Sequence, residues 1–378
     1  MSKAVLLGAA LAALLCACAT PHFENVPIVY QTRDNAGKAL TISFPYLVSK
    51  DQEVADRINL FMHDDMFHAL PARLILAAPA MSGPMLHWGS GGIDAMWLDS
   101  MALRNGGRTL SIVIEGRYYC PRDCAIHRDQ FDFDANTGRH LVDQELIDKR
   151  TEPSLGVVAA QATRERLRAE VARLEQSKDH SPGSVAARQL ALYRACLHDY
   201  FPHEVISPAD WLAQLPGSML VGEGELAFFR VGCGNGGDKD IDTIGDLRFS
   251  LGGPALRPYL TPYGRYLVLG ESKPAMPVVN PYGQVVRGTL DGAFPLTLFL
   301  GTYHLWDDTP MTQVRYYFGR LDQPVMLTPK RLGDLVELEE YGHDAGTVAP
   351  QLRFRIDGKR LRGQWSDTRS TRAFEGRP

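Results

Sequence analysis

The sequence lacks a strong excess of charge of either sign. Its 378 residues include 40 Lys and Arg against 44 Asp and Glu, which leaves a formal net charge of −4. Nucleic-acid-binding domains are usually basic, and acidic tails carry a large negative charge. The balance therefore predicts no nucleic-acid partner. A hydrophobic content of 45% and a charged content of 22% are ordinary for a globular protein and argue against extensive disorder.

The sequence also lacks a recognisable catalytic or cofactor motif. Ser90 lies in the Gly-rich segment Trp88–Gly92, but no strand–GxSxG–helix pattern surrounds it. The alternating Asp238, Asp240 and Asp242 could offer oxygens to calcium, yet the turn glycine and the late Glu of an EF-hand loop are missing. They are weak calcium candidates, and an acidic surface loop is the alternative. We predict no cofactor, no metal and no catalytic residue.

Long apolar runs are scarce. Ala4–Leu15, after Lys3, is too short to span a bilayer, and no later stretch approaches the ~20 apolar residues of a membrane helix. The next residues, Leu15–Ala19, resemble a bacterial lipobox in which Cys18 is acylated. Residues 1–18 are then a lipoprotein signal peptide, although an ordinary secretory peptide cut near an Ala remains the alternative. Because Ala19 is not Asp, the lipoprotein sorting pattern implies a periplasm-facing outer-membrane protein that is anchored by lipid alone.

Four further cysteines remain, and an even number in an oxidising compartment favours disulfides. Three connectivities are possible, of which Cys120–Cys124 with Cys196–Cys233 is the simplest because a three-residue spacer closes in a turn. Zinc at Cys120, Cys124 and His127 is an alternative without an evident fourth ligand. Free thiols are the remaining option.

The N-terminal part predicts a small antiparallel sheet with a helix packed on it. After a tether at residues 19–38, the segment Ala39–Val48 alternates apolar and polar residues as a strand does. Asp51 is placed to cap a helix whose apolar residues share one face. Arg108–Tyr119 and Gln130–Asp134 predict two further strands. Near the end of the predicted helix, His63, Asp64, Asp65 and His68 point in divergent directions, and we interpret them as a solvated helix end.

Residues 156–200 change character, with helical spacing of apolar residues on both sides of Ser181–Gly183. They predict a helical hairpin inserted between sheet elements. A Pro-rich linker at residues 271–281 divides an α+β domain, residues 39–272, from an all-β domain, residues 282–378. Strands separated by short Gly, Pro and Asp turns predict that the second domain is an antiparallel meander or barrel. The fold class is therefore α+β followed by a mostly antiparallel, barrel-like domain.

The passage Phe131–Ile147, FDFDANTGRHLVDQELI, resembles a domain of the extracellular part of the RsiV anti-sigma factor that also adjoins the catalytic domain of PdaC-type deacetylases. The shared pattern is a strand F-x-F-D, a Thr-Gly turn and a Leu-x-x-Leu helix start. The resemblance extends over about residues 25–270, and the helical hairpin and the 233–246 loop depart from it. The matching residues are Phe131, Phe133, Asp134, Thr137, Gly138, Leu141, Asp143 and Leu146.

The resemblance implies recognition of an envelope ligand, with lysozyme binding as the example in one branch, and it does not imply catalysis. No Thr-Phe-Asp-Asp-Gly-like deacetylase motif occurs. We therefore expect a non-catalytic envelope lipoprotein that binds a protein or a glycan, lysozyme-like or peptidoglycan-related. Trp88 and Trp97 are candidate ligand contacts if they are exposed.

Two alternatives remain open. One is an envelope glycan or peptide hydrolase, since Asp132 and Asp134 share a strand face and could act as paired carboxylates. Glu337, Glu339 and Glu340 are a second source of carboxylates. The other alternative is a structural or assembly lipoprotein of the outer membrane.

Overall fold

The computed structural model describes residues 22–33, 39–67, 96–105, 107–118, 126–177, 181, 183–203, 206, 218–230, 232–234, 241–244, 247–274, 283–304, 310–319, 324–331, 335–341, 348–357 and 360–377. Several predicted residues lie outside these ranges: Cys18, His68, Trp88, Cys120, Cys124, Asp238 and Asp240. Among the described helices, none has the length and apolarity needed to cross a bilayer.

Two short antiparallel strand pairs open the fold. Strand β1 (Phe23–Asn25) pairs with β4 (Leu47–Ser49), and β2 (Ile28–Arg33) pairs with β3 (Ala39–Phe44). The predicted strand Ala39–Val48 is thus two strands, which are separated at Pro45. Proline has no N–H to donate to a ladder, so an interruption is expected there.

Helix α1 (Gln52–Phe67) is the element on which the other layers pack. Asp51 Oδ1 accepts a hydrogen bond from Val54 N at 3.3 Å, as the predicted cap requires. The apolar residues Ile58, Phe61 and Met62 are at most 2% exposed. Asn59 is buried as well, and its side chain exchanges two 2.8 Å hydrogen bonds with the backbone of Leu47 in β4. The helix is therefore held by apolar packing and by one satisfied buried amide.

A three-stranded antiparallel meander covers one side of α1. It consists of β5 (Met96–Asn105), β6 (Thr109–Tyr118) and β7 (Ile126–Asp134). The side chains of this meander point alternately to its two faces, because successive residues of a strand point in opposite directions. Ile112 and Phe133 belong to the core that contains α1, whereas Ser111 and Asp132 of the same strands face away from that core.

The turn after β7 requires its glycine. Gly138 has φ +73°, and a Cβ atom at this position would lie 2.8 Å from Val54 O of α1. Any other residue would therefore combine a left-handed backbone with a clash. The Thr-Gly pair of the resemblance motif thus seats the β7 turn on the first turn of α1.

A second α+β layer follows in the chain. Helices α2 (Asp143–Leu146), α3 (Glu152–Glu175) and α4 (Val185–Tyr200) precede the antiparallel sheet β8 (Ser218–Gly222), β9 (Glu225–Arg230) and β10 (Leu247–Gly252). Then come α5 (Gly253–Leu256), the 3₁₀ turn Arg257–Tyr259 and α6 (Pro262–Leu269). Helices α3 and α4 pack on each other as the predicted hairpin. A Cys196–Cys233 disulfide, with a Cα–Cα distance of 5.5 Å, joins α4 to the segment after β9.

The C-terminal strands form a closed eight-stranded antiparallel barrel, in which β11 pairs with both β12 and β18. The eighth strand, Thr371–Arg377, was absent from the sequence prediction, and it is the strand that closes the barrel. The interior is filled by apolar side chains such as Leu298, Val336 and Phe354, as is usual for this strand number. The strands are β11 (Gln284–Leu290), β12 (Phe294–His304), β13 (Pro310–Phe318), β14 (Val325–Arg331), β15 (Leu335–Glu340), β16 (Gln351–Asp357), β17 (Arg360–Ser366) and β18 (Thr371–Arg377). The predicted α+β class with a barrel-like C-terminal part is confirmed.

The end of α1 is buried against the outside of this barrel. Arg315 Nε of β13 donates to Asp64 Oδ2 at 2.7 Å, and the hydroxyl of Tyr317 donates to Asp64 Oδ1. Arg315 and Asp64 are 0% and 1% exposed, and the Arg315 guanidinium lies 4.6 Å from the centre of the Phe299 ring. The interpretation of a solvated helix end was wrong, because the partner of Asp64 lies on a distant strand.

Burial also determines the protonation of the neighbouring histidine. His63 is 0% exposed, and its Nδ1 lies 2.8 Å from Asn59 O. Desolvation lowers the pKa of His63 to about 4, against which the backbone hydrogen bond acts weakly. His63 is thus neutral at physiological pH and acts as part of the core.

We expect Asp64→Asn to lower the free energy of unfolding by about 3–5 kcal/mol, since it leaves a buried guanidinium without its counter-charge. Urea denaturation followed by circular dichroism measures the loss. Glu170→Gln is the control, because it breaks a surface ion pair with Arg173 at 2.5 Å and should cost at most about 0.5 kcal/mol. Adding Arg315→Met to Asp64→Asn should recover much of the loss. A loss of stability in Asp64→Asn no larger than that in Glu170→Gln would contradict the assigned role of the buried pair.

Candidate functional site

A cavity of about 480 Å³ lies where the first turns of α1 meet the outside of the barrel. Leu60 of α1 and Val285 of β11 form an apolar floor, 9% and 4% exposed. The charged side chains of the remaining wall are mostly cationic, with five arginines and two glutamates among the described lining residues. These charged residues are Glu53, Arg57, Arg287, Arg360, Arg362, Glu375 and Arg377.

Strand alternation places the barrel arginines on the outer surface. In β11, Val286 and Leu290 are buried in the barrel, so Arg287 between them points outward and is exposed. Arg287 is the direct cross-strand partner of Arg377 on β18. Leu361 of β17 pairs with Gly376, so the preceding Arg360 comes next to Arg377. Three arginines therefore lie side by side across three neighbouring strands.

Some of these arginines already have partners, and others do not. Arg57 Nη2 lies 2.5 Å from Glu53 Oε1, and Arg57 Nη1 donates to Thr137 O at 2.9 Å. Arg362 lies 3.8 Å from Glu375. Among the described residues, no ion pair or hydrogen bond involves the guanidinium groups of Arg287, Arg360 or Arg377. This row of three, which we call the arginine row, is available to bind an anion.

Two paired glycines support the arginine row from inside the barrel. Gly288 of β11 is the partner of Gly376 of β18. A Cβ on Gly288 would lie 2.4 Å from Glu375 O, and one on Gly376 would lie 2.7 Å from Val286 Cγ1. The Phe374 ring occupies the space that these side chains would need. Substitution at either glycine would push apart the strands that carry Arg287 and Arg377.

The described residues among the sequence-predicted candidates do not line this cavity. The backbone of Trp97 lies in β5. Asp242 accepts hydrogen bonds from Gly234 N at 2.8 Å and from Tyr193 Oη at 3.1 Å, so it joins the segment after β9 to α4. Cys196 and Cys233 form the disulfide in the same region. Among the described residues, no group of three or more His, Cys, Asp or Glu side chains is placed to hold a metal ion.

The carboxylates of the hydrolase alternative are buried between two layers. Asp132 is 7% exposed and Asp134 is 4% exposed. Asp132 Oδ2 accepts from Gln130 Nε2 at 2.8 Å, and Asp132 Oδ1 is hydrogen-bonded to Ser111 Oγ. Asp134 Oδ2 accepts from the Tyr263 hydroxyl of α6 at 2.8 Å. Both carboxyl groups join the β5–β7 meander to neighbouring elements, and neither lines the cavity.

Desolvation raises the pKa of Asp132 to about 7, and the negative charge of Asp143 acts in the same direction. The hydrogen-bond arrangement agrees with a protonated carboxyl. Ser111 has one hydroxyl proton, which reaches Val221 O at 2.8 Å, and Val221 N in turn donates to Ser111 Oγ at 3.1 Å. A proton on Asp132 then supplies the donor for the bond between Asp132 and Ser111.

Sequence reasoning missed the arginine row, although one signal was present. Arg360 and Arg362 flank Leu361, which is the alternation expected of a strand with an exposed face. Arg287 lies more than 70 residues earlier in the sequence. Only the β11–β18 register brings Arg287 and Arg377 together, and β18 itself was not predicted.

No family model matches the chain, and no curated protein matches it. Among solved structures, a member of the DUF3298 family from Bacteroides fragilis is 13% identical, with a TM-score of 0.32, over 65% of this chain and 95% of that protein. A DUF3298 family protein from Pseudomonas aeruginosa is 11% identical, with a TM-score of 0.36, over 65% of this chain and 96% of that protein. Likeness at this level carries no argument about fold or function.

Asp132→Asn should remove a pH dependence of stability. A rise of the pKa from 3.8 to about 7 corresponds to about 4 kcal/mol, at ~1.4 kcal/mol for each pKa unit. Asp132 contributes this stability when the pH is below 3.8, the pKa of the carboxyl in the unfolded chain. The contribution is lost as the pH rises through about 7, the pKa in the folded protein. In denaturant titrations, the free energy of unfolding of Asp132→Asn should therefore rise relative to that of the wild type between pH ~4 and ~7. Asp199→Asn, at an exposed site, should follow the wild type, and a constant difference for Asp132→Asn would contradict the raised pKa.

Proposed function

We propose that this chain is a non-catalytic lipoprotein of the bacterial cell envelope that binds a protein or glycan ligand in the periplasm. The observation that carries the proposal is the cavity between α1 and strands β11, β17 and β18. It combines an apolar floor with guanidinium groups that have no partner among the described residues. Ligand sites in proteins usually combine an apolar surface with a few polar groups in this way.

The chemistry of the cavity favours binding over catalysis. Its described lining contains no Ser, Cys, His or Asp, and its two glutamates, Glu53 and Glu375, form ion pairs with Arg57 and Arg362. Guanidinium groups do not lose their proton at physiological pH, so they act as fixed cations and not as general bases. The predicted hydrolase pair, Asp132 and Asp134, lies buried between layers and away from the cavity.

The proposed envelope location depends on the sequence. The lipobox resemblance at Leu15–Ala19 supports a lipid anchor on Cys18, and the Cys196–Cys233 disulfide is in keeping with an oxidising compartment. The RsiV/PdaC-type resemblance of residues 25–270 supports ligand recognition in the envelope. The occupied core of the barrel supports binding on the outside of the protein, because the barrel interior is filled with side chains.

We expect the chain from residue 19 onward, which contains every described residue, to retain a specific partner when it is immobilised and exposed to envelope extract, purified peptidoglycan or lysozyme. Mass spectrometry and sedimentation identify the partner. The double variant Arg287→Gln/Arg360→Gln should lose the partner. Arg248→Gln/Arg353→Gln removes the same charge outside the cavity and should keep it. Capture of nothing from any source would refute the binding function.

Cys18→Ser should abolish acylation of the protein, because Cys18 is the residue that would carry the acyl chains. Metabolic labelling with a palmitate analogue measures the change. Cys16→Ser is the matched control, since it changes a neighbouring cysteine two residues before Cys18. Palmitate labelling that survives Cys18→Ser would contradict lipid anchoring at this residue.

A further inference from the structure

The local charge of the cavity is opposite to that of the whole chain. The chain carries a formal net charge of −4, whereas the described lining of the cavity has five arginines and two glutamates. Two of the arginines, Arg57 and Arg362, are paired with those glutamates. The excess positive charge therefore lies on the arginine row of Arg287, Arg360 and Arg377.

The arginine row is unfavourable for an unliganded protein. Arg287 and Arg377 are direct cross-strand partners, and neighbouring strands lie about 4.8 Å apart. Like charges in this position destabilise a sheet. A bound anion would offset the repulsion, and this is the physical reason to assign the row to a ligand.

The charged groups of the cavity favour carboxylates as the bound anion. A guanidinium presents its donors in a plane that matches two oxygens of a carboxylate or of a phosphate, so the choice between these anions depends on the charge of the wall. Adjacent arginines on neighbouring strands can engage successive acidic groups of an extended chain, whose residues on one face repeat every ~6.6 Å. The two glutamates of the wall repel any anion, and they repel a polyphosphate more than an acidic peptide because the polyphosphate carries more charge in the same volume.

The residues that line the cavity also favour a peptide over a glycan as the source of the carboxylate groups. Among the described residues that line the cavity, none is aromatic, so a sugar ring finds no flat apolar surface on which to stack. A peptide finds complementary groups throughout: Leu60 and Val285 for an apolar side chain, and Glu53, Thr289 and Glu375 as acceptors for backbone N–H groups. We infer that the cavity binds an acidic peptide segment of a partner protein through the arginine row. This inference rests on the proposed binding function and names the ligand class of the same site.

The test uses a fluorescent oligoglutamate peptide, with an oligoglutamine peptide of the same length as the neutral control. We expect saturable binding of oligoglutamate to the chain from residue 19 onward by fluorescence anisotropy, and no binding of oligoglutamine. Because charged hydrogen bonds are lost, Arg287→Gln and Arg360→Gln should each weaken binding by about tenfold or more. Arg353 lies on β16 and pairs with Glu337 at 3.6 Å. Arg353→Gln removes the same charge outside the cavity, so it should change binding little.

A second measurement separates ligand binding from a structural role. Arg287→Gln removes a like-charge contact, so its melting temperature should equal or exceed that of the wild type. A residue that the fold requires would lower the melting temperature instead. A lowered melting temperature together with weakened binding would overturn the assignment of Arg287 to the ligand.

Three other outcomes would also overturn the inference. They are equal weakening by Arg353→Gln, tighter binding of inorganic phosphate or of phosphatidylglycerol vesicles than of oligoglutamate, and equal binding of polygalacturonate, which would assign the carboxylates to a glycan. Absence of oligoglutamate binding beside successful capture of an envelope partner would remove this inference alone. Absence of both would remove the proposed function as well.

Discussion

The structure depends on one buried contact, in which Asp64 of α1 accepts hydrogen bonds from Arg315 and Tyr317 of the barrel. Helix α1 packs on the β5–β7 meander with one side and on the barrel with another, so this contact decides how the two sheets are related. Phe61 adds aromatic contacts to Phe133, His140 and Phe299, with ring centroids 5.7, 4.6 and 4.9 Å apart. The apolar contacts supply most of the stability, and the ion pair supplies direction, since it is satisfied in one arrangement.

The cavity is a by-product of that arrangement. With the end of α1 held on β13, its first turns stand over β11, and Leu60 meets Val285 as the floor. Closure of the barrel by β18 then adds Arg377 and Glu375. The site therefore needs both the helix register and the final strand pairing, and neither can be seen in a local segment.

The sequence predicted those elements whose signal is local. The apolar residues of α1 have helical spacing, seven of the barrel strands alternate between turns, and the 156–200 hairpin is dense in helix formers. Prediction from the sequence failed where a residue interacts with a partner that is far away along the chain. Asp64 was interpreted as solvated because Arg315 lies 251 residues away. Strand β18 was missed because Phe374 is its one large apolar residue, and the arginine row was missed with it. The domain boundary at residues 271–281 stays a prediction.

The separation of Asp64 from Arg315 has a consequence for biogenesis. The chain emerges with its N-terminus first, at ~5–20 residues per second during synthesis. Helix α1 can dock on the β5–β7 meander early, yet the 251 residues that separate its carboxylate from the guanidinium take on the order of tens of seconds to arrive. During that interval the barrel-facing side of α1, including Phe61, is uncovered. A nascent chain of this protein thus presents an apolar surface with an unpaired carboxylate at its centre, which is the kind of surface that a holdase chaperone protects.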